Sequence, residues 1–183
     1  MWRGTALLGI ALCVVATGCG GGPKTLPTST TGQTLEVRSS AFADGGAVPA
    51  DYSCQGEADA APPLSWAGVP DGAEQLAIVV QDPDARGFVH WLVTGIPPAT
   101  TQIDGSLPPG AVERKGSAKT GWTPLCPPKG RHHYQFAVYA LNAPVPADAD
   151  DVLGFIGEHA IASGTMTGTF ARQAATESSP TRS

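Results

Sequence analysis

Two apolar runs, EQLAIVVQ (Glu74–Gln81) and FVHWLVTGI (Phe88–Ile96), are separated only by the six residues DPDARG. The first run is short, continuous and rich in β-branched residues, as a strand buried on both faces is. A connection of this length favours a hairpin, because a parallel crossover needs many more residues. A third run, RHHYQFAVYALN (Arg131–Asn142), reads as another strand. These segments make a sheet the centre of the fold.

The remaining chain adds short strands and turns. TLEVRSSAF alternates apolar and polar residues from Thr34, so order is expected to begin there. LSW follows two prolines and ends before a bend at Pro70-Asp71-Gly72. The passage from Pro97 to Lys129 is rich in Gly and Pro, and the chain as a whole has 23 Gly and 17 Pro. Such a composition predicts many turns and few long helices. One helix is predicted in DADDVLGFIGEHAIA, where Val152, Phe155, Ile156 and His159 fall at helical spacing behind acids in the first turn. GTMTGTFAR reads as a last strand, and residues 173–183 as a frayed polar tail. The prediction is one mostly-β domain over residues 34–172 with a short helix near its C-terminal end. The net charge of -5 excludes a basic nucleic-acid footprint.

Residues 1–18 read as a secretory signal: Arg3, an apolar run from Ala6 to Ala16, then small residues. The run is too short to span a membrane. VATGC resembles the lipobox of bacterial lipoproteins, which makes Cys19 the lipidated residue; the alternatives are an ordinary cleaved signal or an uncleaved anchor. Residues 19–33 then form a lipidated flexible tether, whose fourteen residues after Cys19 reach at most about 50 Å. The expected location is outside the cell, anchored by lipid to the outer face of a bacterial membrane. Cys13 is lost with the signal, leaving Cys54 and Cys126 for an oxidising compartment. They are expected to pair, the alternative being two buried free thiols. Neither CxxC nor a Cys/His zinc spacing is present. No metal and no cofactor is expected.

The hairpin places Asp82, Asp84 and His90 at one edge of the sheet. Strict alternation puts Phe88, His90 and Leu92 on one face, and Val89, Trp91 and Val93 on the other. His132 and Tyr134 share a face of the third strand. Convergence of these residues would make a site of two carboxylates, two imidazoles and a phenol. Each also has a plain structural role open to it. The aspartates can cap the turn, His90 and Tyr134 can be core residues, and His132 and His133 can be surface residues at a strand start.

The pieces PPLSW, DPDA…HW, CPPKGRHHYQFAVYAL and HAIASGTMTGTFAR occur here in the order seen in the phosphatidylethanolamine-binding protein family. The resemblance is to its bacterial, Raf-kinase-inhibitor-like branch, in a secreted lipoprotein form, and covers Leu35 to Arg172. It implies a Greek-key domain on a central antiparallel sheet with a helical C-terminal part. It also implies a small pocket that takes anions, phosphate groups included. Carried over by motif, its residues are Asp82, Asp84, His90, His132 and Tyr134, with Cys126 and Pro127 on the wall and Phe88 as an aromatic neighbour. Three positions depart from the pattern. Arg86 stands where proline is usual, GWTPLCPP (Gly121–Pro128) replaces a glycine-rich version, and His133 replaces an arginine.

The function expected is that of a lipid-anchored binding protein for a small anionic or zwitterionic ligand, phosphate or a phospholipid headgroup. His90, His132 and Tyr134 can supply donors. The carboxylates can orient the imidazoles, remain protonated, or meet an ammonium group. The alternatives are an extracytoplasmic inhibitor or partner-binding protein of protease or kinase type, and a hydrolase using the Asp/His cluster. No nucleophile elbow and no HExxH is present, so no enzyme is expected.

Overall fold

The computed structural model of the chain describes residues 25–57 and 60–173. The expected signal peptide, Cys13, the lipidated Cys19 and all but the first residue of the polar tail lie outside the described residues. Among the described residues no helix is long and apolar enough to cross a membrane.

The strands are β1 (Gln33–Thr34), β2 (Glu36–Arg38), β3 (Leu64–Ala67), β4 (Gln75–Asp82), β5 (Phe88–Ile96), β6 (Gln102–Ile103), β7 (Val112–Glu113), β8 (Arg131–Leu141) and β9 (Ala160–Ala171), with helix α1 (Val152–His159) between the last two. A six-stranded sheet has the order β1-β9-β8-β4-β5-β7, and a three-stranded sheet the order β2-β3-β6. β4 is buried along its whole length, as its unbroken apolar run requires. β4 and β5 form the expected hairpin, and β8 pairs antiparallel with β4 on its other side.

The large sheet is covered on both faces. On one lies a cluster that includes Leu35, Leu64, Trp66 and Ile103, packed with Ile78, Val80, Trp91, Tyr134 and Phe136. The small sheet contributes Leu64, Trp66 and Ile103, and Leu35 immediately precedes β2. Close approach here depends on Gly164, where a Cβ would collide with the carbonyl of Leu35. On the other face Ile156 of α1 packs with Val79, Val89, Leu92, Ala137 and Tyr139. Asp151 caps α1, its carboxylate accepting from the Gly154 N–H at 3.0 Å. The predicted acids therefore stop at the cap, and the first turn carries none. β9 starts at Ala160, earlier than predicted, and pairs with β8 from Leu141 back to Arg131.

The expectation of a loose tether up to Gln33 is corrected over its second half. Leu26 packs against the cluster under α1. The Tyr139 hydroxyl donates to the Pro27 carbonyl at 3.0 Å, and the Thr30 N–H donates to Ala160 O at 2.9 Å. Gln33 and Thr34 then pair in parallel with Ala162 and Ser163. The Tyr139 hydroxyl and the open edge of β9 gave this segment something to bind, despite its Pro, Ser and Thr content.

Candidate functional site

The chain leaves β4 at Asp82 and turns through a 3-10 segment, Pro83–Ala85. Asp82 caps it, Oδ1 accepting from the Ala85 N–H at 3.0 Å. Its other oxygen, Oδ2, lies 2.7 Å from Nδ1 of His132. The capping role and the site role therefore belong to the same carboxylate, one oxygen each. Asp82 is 3% exposed, so its charge is held by partners rather than by water.

Alternation along β5 is broken. Val80 pairs with Trp91 and Gln81 with Val89, leaving His90 as an extra residue in a bulge. Trp91 and Val93 consequently join the cluster under the small sheet, while Val89 and Leu92 join the one under α1. The expected grouping of His90 with Leu92 is thus corrected. His90 lies beside Phe88, with ring centroids 4.9 Å apart, and edge-on to Tyr134 at 5.3 Å.

The bulge is clamped by Thr123. Its N–H donates to the His90 carbonyl at 2.9 Å, and its own carbonyl lies 2.8 Å from His90 Nδ1. A carbonyl can only accept, so Nδ1 carries the proton and Nε2 is the acceptor nitrogen. Burial depresses the pKa of His90; the Thr123 hydrogen bond and the Asp82 charge act in the opposite direction, and His132 adds to the depression. His90 is then a neutral, oriented ring, and the expectation that it donates to an anion is corrected.

Asp82, Ala85, Phe88, His90, His132 and Tyr134 surround a cavity of about 250 Å³, closed on its other side by Thr123, Pro124, Cys126 and Pro128. The walls are mostly apolar. The Tyr134 hydroxyl and the Thr123 Oγ1 are both buried there without a hydrogen-bond partner. Burial first, then the Asp82 and Asp84 charges, raise the pKa of Tyr134, so its hydroxyl stays protonated and able to donate. The backbone of the 123–125 loop offers little to a ligand. Thr123 N is spent on His90, Leu125 N on the Tyr52 carbonyl, and Pro124 has no N–H. The polar equipment of the cavity is therefore its side chains.

Two predicted residues are not in the cavity lining, although a carboxylate oxygen of Asp84 lies within 4.8 Å of ligand atoms of Asp82 and His132. Asp84 does not line the cavity; its Oδ2 accepts from the His133 backbone N–H at 2.7 Å and meets His133 Nδ1 at 2.8 Å. The backbone bond, then the side-chain bond, holds the Asp84 carboxyl below its usual range. Pro127 is buried behind the wall, and Pro128 is the proline that faces the cavity. Sequence reasoning missed Thr123 and Pro124, which the TP of GWTPLCPP could have signalled as a loop beside the pocket.

The wall is fixed by a disulfide between Cys54 and Cys126, with Cα atoms 5.4 Å apart. The Cys54 N–H donates to Leu125 O at 3.1 Å, so the same two segments are also joined through backbone.

Comparison with known proteins agrees with this fold. The family profile described as "Phosphatidylethanolamine-binding protein" matches residues 38–171. A Mycobacterium tuberculosis protein named as a lipoprotein, LppC, is 39% identical over 192 residues, covering 90% of this chain and 94% of its own. A UPF0098 protein of Methanothermobacter thermautotrophicus is 36% identical, over 75% of this chain and 99% of its own. Among solved structures, a phosphatidylethanolamine-binding protein homologue from Chlamydia trachomatis superposes with a TM-score of 0.70 at 30% identity, covering 77% of this chain and 99% of that one. YbcL of Escherichia coli superposes with a TM-score of 0.69 at 31% identity, covering 76% and 99%. The residues that line the cavity lie within the matched span. The chain belongs to the phosphatidylethanolamine-binding protein family.

Proposed function

We propose that the protein is a lipid-anchored extracytoplasmic binding protein whose cavity takes a small phosphate-bearing ligand, either inorganic phosphate or a headgroup of the phosphoethanolamine type. The observation that carries this reading is the Tyr134 hydroxyl, buried and unpartnered at the cavity. A buried hydroxyl without a partner costs about 1–3 kcal/mol, and an acceptor brought by a ligand would recover that. Thr123 Oγ1 is a second donor in the same position. His132 is a third: with Nδ1 on Asp82, its Nε2 donates when the ring is charged. The aspartates serve as orienters, Asp82 for His132 and Asp84 for His133. Anchoring rests on the sequence around Cys19 and on the likeness to a protein named as a lipoprotein.

Isothermal calorimetry of the fragment from Thr25 onward, with phosphate and with phosphoethanolamine, tests this. Tyr134→Phe should weaken both by roughly ten- to a hundredfold, the worth of one donor to a charged group. It should also make the free protein more stable, because the unmet hydroxyl is gone. Unchanged affinity in Tyr134→Phe would remove the basis of the reading.

A further inference from the structure

We infer that the cavity faces away from the bilayer that holds the lipid anchor, so its phosphate-bearing ligand comes from the aqueous phase and not from the headgroups of its own leaflet. The inference rests on the lipid-anchored binding role proposed above.

The N-terminal segment is fastened at one end of the large sheet. Thr30 bonds Ala160, β1 pairs with Ala162 and Ser163, and Pro27 receives the hydroxyl of Tyr139, whose register partner is Ser163. The cavity is at the other end, where His132 is opposite Phe170. Tyr139 and His132 are seven residues apart on β8, which is about 23 Å of strand. The two features also lie on opposite faces. Leu26 and Tyr139 belong to the cluster under α1, whereas Tyr134 of the cavity belongs to the cluster under the small sheet.

The average reach of the anchor is short by comparison. From Cys19 to Pro27 there are eight Cα steps, which span at most about 29 Å and, as a flexible chain, about 16 Å on average. Pressing the cavity mouth onto the bilayer would lift Pro27 about 23 Å above it, with a change of face added. The tether reaches that height only when drawn out well beyond its average length. At that average length, the end bearing α1 is held down and the cavity is turned outward.

The test uses the full lipidated chain on vesicles that carry a fluorescent acceptor at the bilayer surface. One dye is placed at Lys129→Cys, on the cavity rim, and in a second protein at Glu158→Cys, on α1; both positions are exposed. Energy transfer to the bilayer should be severalfold stronger from position 158. Equal transfer, or stronger transfer from position 129, overturns the inference. A second arm titrates soluble glycerophosphoethanolamine onto the anchored protein, on vesicles with and without phosphatidylethanolamine. The affinity should agree within about twofold, whereas a pocket facing the bilayer would meet headgroups at millimolar effective concentration and lose about tenfold or more. Such a loss also overturns it. Two controls separate this from failure of the underlying role. A chain that stays off the vesicles refutes the anchor, and a soluble fragment that binds no phosphoethanolamine refutes the ligand.

Discussion

Asp82 and His132 are fifty positions apart in the chain, and Asp82 Oδ2 lies 2.7 Å from His132 Nδ1. The contact joins the end of β4 to the start of β8, two strands that are neighbours in the large sheet. Asp82 is fixed by the turn it caps, so His132 inherits its orientation from the hairpin.

The pair should therefore behave as one unit in ligand binding. His132→Ala is expected to weaken phosphate binding by roughly ten- to a hundredfold, the worth of a charged donor of about 1.5–3 kcal/mol. Asp82→Asn keeps a capping oxygen but loses the charge that holds the ring, and should weaken binding by a similar factor. The double variant should lose little more than either single one. Calorimetry on all four proteins measures this, and additive losses would show that the two residues act separately.

His90 sets a pH dependence of stability. Burial lowers its pKa below the ordinary 6.5, so the unfolded chain takes up this proton first as the pH falls. Its contribution is complete above pH 6.5 and is lost as the pH falls from there through the folded value. Urea midpoints between pH 5 and pH 8 should fall on the acid side in the parent, and the fall should be shallower in His90→Gln. Parallel curves for the two proteins would contradict the assignment of a buried neutral ring.

The Cys54–Cys126 bond closes a loop with a sequence separation of 72. Replacing both cysteines by alanine should cost about 2–5 kcal/mol, most of it through a less constrained unfolded chain. Because Cys126 is also cavity wall, ligand affinity should fall in the folded variant. Chemical denaturation followed by calorimetry separates the two effects.

Arg86 adopts φ 57, the left-handed region, and is followed by Gly87 at φ 75. Arg86→Gly should stabilise the domain by up to about 1 kcal/mol by relieving that conformation. Arg86→Pro should destabilise it by more, since proline is locked near φ -65. Thermal melts of the two variants should move in opposite directions.

The hairpin, the central position of β4, the helix at Val152–His159 and the cystine were legible because each rests on a local signal: apolar runs, turn length, helical spacing and cysteine arithmetic. Asp82, His90, His132 and Tyr134 were legible as a group because a motif resemblance joined them. The docking of residues 25–33 was not, since the edge of β9 that receives them is a product of the fold. Nor was the proton-accepting role of His90, which depends on a single carbonyl from Thr123. Pro127 and Pro128 were exchanged because adjacent prolines in an irregular loop have no periodicity from which to read a facing side.

The bulge in β5 has one more consequence. Take His90 away and Val89 stands next to Trp91, with Gln81 and Val80 opposite them in unbroken sequence. At this point the strand holds one residue more than its ladder needs, and the surplus is the imidazole at the cavity. Function here is written as an insertion between two residues that would otherwise be consecutive rungs of the ladder. A one-codon deletion would erase the ring while leaving the phase of every neighbour intact, a change that no series of point replacements samples.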